Sequence, residues 1–190
     1  MRLSAPRKKG EVSLEETLEK RRSHRSYAPK ELRSEQISQL LWAAQGVVER
    51  GLRTAPSAGA TYPLEIYLVT SRGVYHYRPQ SHELEPALEG DVRSQLCQAC
   101  LNQEWVKQAP ISIIVTAAYQ RTATGYGSRA TRYVHIEVGH VAQNIHLQAV
   151  ALGLCSVPVG AFHDEQVRKV LSLPESHQPL YVIPVGYSTE

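Results

Sequence analysis

The stretch Leu64-Glu65-Ile66-Tyr67-Leu68-Val69-Thr70-Ser71-Arg72-Gly73-Val74-Tyr75-His76-Tyr77-Arg78 decides the fold class. Leu64 to Thr70 and Val74 to Arg78 are rich in β-branched and aromatic residues, and Ser71-Arg72-Gly73 between them is a turn, so the segment predicts a β-hairpin. Strands joined by so short a turn run antiparallel, and a hairpin in mid-chain breaks the βαβα rhythm of a doubly wound sheet. No Gly-x-Gly-x-x-Gly turn follows a strand, which removes the Rossmann dinucleotide signature as well. The class that remains is α+β.

On the N-terminal side of the hairpin, a helix from about Ser34 to Gly46 is predicted by Ile37, Leu40, Leu41 and Ala44 at helical spacing. Before it, Ser13-x-x-Glu16 is a capping box that starts a helix at Leu14, running to about Arg22. On the C-terminal side the sequence predicts a helix near Asp91 to Val106, an apolar strand from Ile111 to Ala118, and a mobile polar loop over Gln120 to Ser128. The longest element is a helix from about Ala130 to Leu152, stopped by Gly153. Its apolar positions Val134, Val138, Val141, Ala142, Ile145, Ala149 and Leu152 pass more than halfway round, so it is expected to be buried on most sides. One chain of this size is hard pressed to cover such a helix, and a homodimer built on it, with Val138 and Ile145 in the interface, is the simple solution. Asp164 caps a short helix to about Leu171, and Leu180 to Val185 is a closing strand. Residues 1–12 are a flexible basic N-terminus, and 13–190 form one domain.

Composition bounds the function. With 42% hydrophobic and 21% charged residues over 190 positions, the chain is globular and large enough for one core. Its net charge of +3 is local: residues 1–33 hold ten Lys/Arg against five Asp/Glu, and the remainder is slightly acidic. No helix-turn-helix, zinc finger or RNA-binding motif follows that basic start, so nucleic acid is not the expected partner. No apolar run reaches the roughly 18 residues of a membrane span, and no signal-peptide core is present, so a cytoplasmic protein is expected. Cys97, Cys100 and Cys155 are too few for a disulfide framework, and Cys97-x-x-Cys100 has no second pair to complete a zinc site. His135, Glu137, His140 and His146 do not share one helix face, so no metal is expected.

Two segments carry the chemistry. Lys20-Arg21-Arg22-Ser23-His24-Arg25 gathers cationic forks around a hydroxyl, the donor set of a phosphate grip. It sits at a helix C-terminus, where the backbone dipole does not favour an anion, so the side chains must supply the positive potential. The second, Pro56-Ser57-Ala58-Gly59-Ala60-Thr61-Tyr62-Pro63, has small residues that leave room for a flat ligand against bare backbone. Together they suggest a flavin mononucleotide (FMN) site.

The ordered motifs Arg21-Arg22-Ser23-His24-Arg25, Leu41-Trp42-Ala43-Ala44-Gln45-Gly46, Pro56-Ser57-Ala58-Gly59-Ala60, Glu137-x-Gly139-His140-x-x-Gln143-Asn144 with Leu152-Gly153-Leu154, Val157-Pro158-Val159-Gly160-Ala161-Phe162 and Pro184-Val185-Gly186-Tyr187 resemble the nitroreductase family of flavoenzymes. Within it they resemble the branch that includes azoline dehydrogenases of thiazole and oxazole peptide biosynthesis. The resemblance implies a three-layer α/β/α fold with a mostly antiparallel central sheet, and a homodimer with FMN at the subunit interface. Carried over by position, it implies that Arg21, Ser23 and Arg25 hold the phosphate and that Arg22 contacts the flavin or its ribityl chain. Pro56, Ser57, Ala58 and Gly59 would line the partner subunit's flavin, and Pro158, Val159, Gly160 and Ala161 would lie along the isoalloxazine near N5. Three departures stand out: Ala60 occupies a place where many nitroreductases have Asn, no basic pair follows Pro184-Val185-Gly186, and Gly125-Tyr126 replaces a Lys-Tyr pair of the azoline enzymes. Losing that Lys removes the best-suited general base for proton abstraction; the chemistry is expected to centre on the flavin, no catalytic side chain is assigned, and Tyr126 is only a candidate. The resulting expectation is ping-pong hydride transfer from NAD(P)H through FMN to a small oxidised acceptor such as a quinone or nitro compound. The alternatives are a flavin-dependent dehydrogenase of a peptide-borne or small heterocycle, and a flavin-binding module without turnover.

Overall fold

Every residue of Ile111–Ala117 is buried, and the alternation along this strand organises the molecule. In the computed structural model, which describes residues 1–189, this strand (β4) pairs antiparallel with β1 (Leu64–Thr70) on one side and with β6 (Gln178–Gly186) on the other. The six-stranded sheet has the order β3-β2-β1-β4-β6-β5, with β2 spanning Gly73–Arg78, β3 Glu83–Glu89 and β5 Cys155–Ser156, and each neighbouring pair is antiparallel. The hairpin forms as expected, with Thr70 opposite Gly73.

Period-two alternation divides the side chains between two cores. Ile111, Ile113, Val115 and Ala117 join Leu64, Ile66 and Leu68 on one face, packed under α2 (Ser34–Gln45) and α6 (Ala130–Ala151). Ile114 joins Tyr67, Val69 and Val182 on the other, under α3 (Arg93–Ala99), α4 (Glu104–Gln108) and α7 (Asp164–Val170). These are three layers, α/β/α, with an antiparallel sheet in the middle. Each fully buried Leu, Ile or Val contributes about 1.5–3 kcal/mol of transfer free energy, so the two faces supply most of the driving force.

The structure differs from the sequence reading at several places. α1 (Leu14–Lys20) starts at the Ser13 cap, whose hydroxyl accepts from the Glu16 N–H (3.1 Å), and ends two residues earlier than expected. The helix expected over Asp91 to Val106 is broken in two, because Leu101 and Asn102 take left-handed conformations (φ 58° and 56°). β3 is an additional edge strand; Pro86 and its glutamates hide it from a propensity reading, and a bulge lies opposite it between Val74 and Tyr75. The Gln120 to Ser128 segment is not an open loop: Gln120–Tyr126 is a helix (α5) followed by a single turn, Gly127–Arg129. Residues at the N-terminus, expected to fray, are hydrogen bonded: Met1 and Leu84 exchange backbone bonds, Leu3 N–H donates to the His82 carbonyl, and Arg7 and Gln39 bond reciprocally.

α6 corrects the interface reading. Val138 (5% exposed) and Ile145 (fully buried) face the chain's own core against the sheet and α2, so they are not free to meet a partner. The face left outward carries Ile136, 51% exposed, with Gly139, His140 and Gln143.

Candidate functional site

The end of α1 is joined to the far end of the sheet. Arg21 is the C-cap residue, and beyond it Ser23 forms a parallel bridge with Ser156 of β5 while His24 N–H donates to the Ser156 carbonyl (3.2 Å). Residues 21–25 therefore run beside the start of the Val157 to Ala161 segment, and two motifs about 130 residues apart in sequence come to one edge. Arg21 is half-buried; Ser23 and Arg25 are exposed. Arg22 turns back and donates through Nη1 to the carbonyls of Glu19 (2.6 Å) and Arg21 (2.8 Å), closing the helix end. Lys20 pairs with Glu16 along the helix (2.5 Å).

His146 of α6 lies beneath this junction. It is buried, its Nδ1 is 2.7 Å from Ser156 Oγ, and burial, with the Arg21 charge adding to it, lowers its pKa to about 4. The imidazole is neutral at ordinary pH and anchors the strand residue that the grip leans on. Tyr27 closes the other side, its hydroxyl donating to the carbonyls of His24 (3.0 Å) and Pro184 (3.1 Å).

Val159 exchanges backbone hydrogen bonds with Val182 (2.8 and 3.0 Å), which leaves Pro158 half-buried and Gly160 and Ala161 at the surface. Among the described residues, the N–H groups of Gly160 and Ala161 have no backbone or side-chain acceptor. The Ala161 carbonyl accepts from Gln103 Nε2 (2.8 Å), and the guanidinium of Arg25 lies 5.6 Å from the Trp105 ring centroid.

Pro56, Ser57, Ala58 and Gly59 enter a single helical turn, Ala58–Ala60, that is strained: Gly59, Ala60 and Tyr62 all have positive φ (57°, 51° and 45°). Gly59 suits that left-handed conformation, and a Cβ there would come within 2.7 Å of the Tyr126 hydroxyl, which would have to move. Tyr126 packs edge-on against Tyr133 (5.0 Å) and is 37% exposed. The loop is clamped through Tyr62. Its N–H donates to Ser57 Oγ (2.9 Å), its carbonyl accepts from Arg121 Nη1 (3.1 Å), and its ring carries the Arg53 guanidinium at 4.7 Å. Ser57 in turn donates to the buried Glu137, which also accepts from Gln45 Nε2 (3.2 Å); the Gln45 carbonyl oxygen accepts from Arg53 Nη1 (3.0 Å). Burial raises the Glu137 pKa in spite of these donors. Arg121 also pairs with Glu65; burial would raise that carboxyl, but His76 and Arg121 outweigh it and hold it at about 2.

The donor set fits a flavin phosphate in chemistry: two guanidiniums and a hydroxyl that, among the described residues, are not tied to carboxylates, beside backbone N–H groups without acceptors. The cavity next to the grip, beside Arg22, His24, Gly153 and Ser156, holds about 160 Å³. A groove of about 450 Å³ lies elsewhere, between residues 7–14 and α2 and α6, and none of the expected site residues lines it. Among the described residues no group of three or more His, Cys, Asp or Glu side chains is arranged to hold a metal ion, and no helix is long and apolar enough to cross a membrane. Sequence reasoning missed Gln103 and Trp105 because a continuous helix was expected there. It set Glu137 and His146 aside with the metal reading, although a polar residue in an apolar helical stripe is itself a signal of a buried bond.

A protein of Methanocaldococcus jannaschii assigned as a nitroreductase is 47% identical over 187 residues, covering 95% of this chain and 93% of that one. The microcin B17-processing protein McbC of Escherichia coli is 26% identical over 134 residues, covering 65% of this chain and 49% of its own length. Among solved structures, one assigned as a nitroreductase from Ralstonia eutropha JMP134 superposes with a TM-score of 0.88 at 30% identity, covering 99% of this chain and 89% of that one. The Nitroreductase family profile matches residues 18–187, and the chain belongs to the nitroreductase family.

Proposed function

We propose that this protein is an FMN-dependent oxidoreductase that takes hydride from NAD(P)H and passes it to a small oxidised acceptor, as a homodimer. The observation that carries the reading is the Ser23–Ser156 junction, which sets the cationic cluster beside the Pro158 to Ala161 run with its unpartnered N–H groups. Bound FMN would supply the centre that accepts and donates hydride. Arg21, Ser23 and Arg25 would hold its phosphate through charge-assisted bonds, and the Gly160 and Ala161 N–H groups would donate to the ring edge. Donor and acceptor would use the same open face in turn, which gives ping-pong kinetics and requires no invariant acid or base. The 160 Å³ cavity is lined by Lys20, Arg22 and His24 and not by Arg21, Ser23, Arg25 or the Pro158 to Ala161 run, so it is not the flavin enclosure; a second copy would form that, with Pro56 to Gly59 reaching across. Three cysteines without a framework fit a reducing, cytoplasmic setting.

Heat-released cofactor should chromatograph as FMN, and FAD or no flavin after reconstitution overturns the proposal. Ala at Arg21 or Arg25 removes a charged bond of about 1.5–3 kcal/mol and should weaken FMN binding roughly 10- to 150-fold. Steady-state oxidation of NAD(P)H with a quinone or nitroarene separates a reductase from a flavin-binding module.

A second reading has one observation in its favour, the similarity to McbC and to the trifolitoxin-processing protein TfxB. Under it the protein would oxidise a peptide-borne heterocycle. Gly125 and Tyr126 in α5 offer no amine base near the Pro56 to Gly59 loop, so this stands second. Turnover of a thiazoline peptide without NAD(P)H would reverse the order.

A further inference from the structure

We propose that the connection between α3 and α4 is a brace that positions both halves of the cofactor site, with Trp105 aiming Arg25 at the phosphate and Gln103 fixing the Pro158 to Ala161 run. The proposal rests on the FMN reading above. In an unbroken helix residues 103 and 105 point about 200° apart and could not serve one edge. The left-handed Leu101 and Asn102 break that helix, and such conformations persist in residues with a Cβ only where the surroundings enforce them. After the break, Gln103 spans two carbonyls, donating through Nε2 to Cys100 (2.8 Å) and to Ala161 (2.8 Å). The same connection takes the His163 N–H on the Ala99 carbonyl (2.9 Å), so the Pro158 to Ala161 run is tied at its C-terminal end twice.

Trp105 works on the other half. Its ring packs beside Tyr27, Ala109 and Cys155 and presents a face to Arg25. Among the described residues the buried indole N–H has no acceptor, so packing fixes the ring, and Phe in its place would give up no hydrogen bond. An exposed arginine has many rotamers, and a ring beneath it selects those that keep the guanidinium over the grip. Cys97 belongs to the brace as well, its thiol donating to the Gln103 carbonyl (3.4 Å), while burial raises the Cys100 thiol to about 12. The Cys97-x-x-Cys100 pair is thereby accounted for as structure.

The two positioning roles predict different ligand dependences, read by titrating the deflavinated protein with FMN and with riboflavin, which lacks the phosphate. Trp105→Leu should weaken FMN roughly 2- to 5-fold and leave riboflavin unchanged, and Trp105→Phe should restore most of the loss. Gln103→Ala should weaken both ligands equally, by roughly 2- to 10-fold, and shift the absorption of the bound flavin. An unchanged FMN-to-riboflavin preference in Trp105→Leu overturns the first role, and an unchanged flavin spectrum and affinity in Gln103→Ala overturns the second. Should Trp105→Leu fail to fold, Trp42→Phe leaves Trp105 as the sole indole. Inorganic phosphate should then change its emission, and Arg25→Ala should abolish the change; a flat titration overturns the role of Trp105. A wild-type protein that binds no flavin fails the FMN reading itself and is distinguishable from either result.

Discussion

Protonation of His146 should cost this protein stability in mildly acidic solution. The imidazole is buried on α6, bonded to Ser156, and lowered from 6.5 to about 4, by burial first and by the Arg21 charge second. A base with a depressed folded-state pKa is protonated more readily in the unfolded chain. Its contribution is therefore complete above pH 6.5 and is lost as pH falls from there toward 4. Linkage over that window gives a loss of about 2 kcal/mol between pH 8 and pH 5 from this one group. Urea unfolding at the two pH values should show wild type losing about 2 kcal/mol more than His146→Asn, which keeps a polar partner for Ser156. His82 and His177 are also lowered by burial, but both proteins contain them and their effect cancels in the difference. Equal losses in the two proteins, within about 0.5 kcal/mol, would refute the claim that this imidazole is held neutral under the grip.

Three further outcomes follow from the geometry. Glu137→Ala leaves Ser57 and Gln45 without their common acceptor and the Arg53 charge without a nearby opposite charge, and should cost about 2–4 kcal/mol in urea unfolding at pH 7, whereas Glu137→Gln, which keeps a carbonyl oxygen, should cost about 1 kcal/mol. Because burial raises that carboxyl, its share of stability is largest at low pH and falls as pH rises through its folded pKa; Glu137→Gln should abolish this component. Ala60→Gly relieves a left-handed alanine at about 1–2 kcal/mol against a backbone-entropy cost of about 0.5–1 kcal/mol, so its thermal midpoint should rise slightly; a fall would show that the strain is not there. Glu65→Gln should remove the stability that is lost as pH falls from 4.5 toward about 2, which acid titration of the two proteins compares directly.

The fold was legible where a single pattern dominated. β1 and β2 alternate around a Gly73 turn, β4 is an unbroken apolar run, and α2 and α6 keep helical spacing, so all five stand near where the sequence puts them. It was illegible where short pieces are stabilised by neighbours. β3 has Glu85, Pro86 and Ala87 between its two leucines, Leu84 and Leu88, and only pairing with β2 makes it a strand. α5 contains the poor helix formers Thr122, Thr124 and Gly125, and is held by Thr122 Oγ1 against Thr61 Oγ1 (2.8 Å) and by Arg121 on Tyr62 and Glu65. The site follows the same division: the cationic cluster and the small-residue loop announce themselves by composition, whereas Gln103, Trp105 and His146 act through contacts with residues about 58, 80 and 10 positions away.

α6 shows why a helix pattern alone misplaces an interface. Its apolar stripe is wide because this chain's own sheet and α2 cover it from two sides, so Val138 and Ile145 belong to the core and cannot report on a partner. The outward face is the opposite one, where Ile136 stands 51% exposed one turn before Gly139 and His140. A helix face with one large apolar side chain beside a glycine suits close approach of a second helix, and a homodimer would seat it there. Ile136→Asp should then leave the unfolding free energy per chain nearly intact while converting the protein to monomer in sedimentation velocity, with loss of FMN if the second copy completes the site. Val138→Asp should instead unfold the chain, at a cost of several kcal/mol for an unpaired charge in a dry core. A dimer that survives Ile136→Asp at micromolar concentration places the interface elsewhere and removes α6 from it.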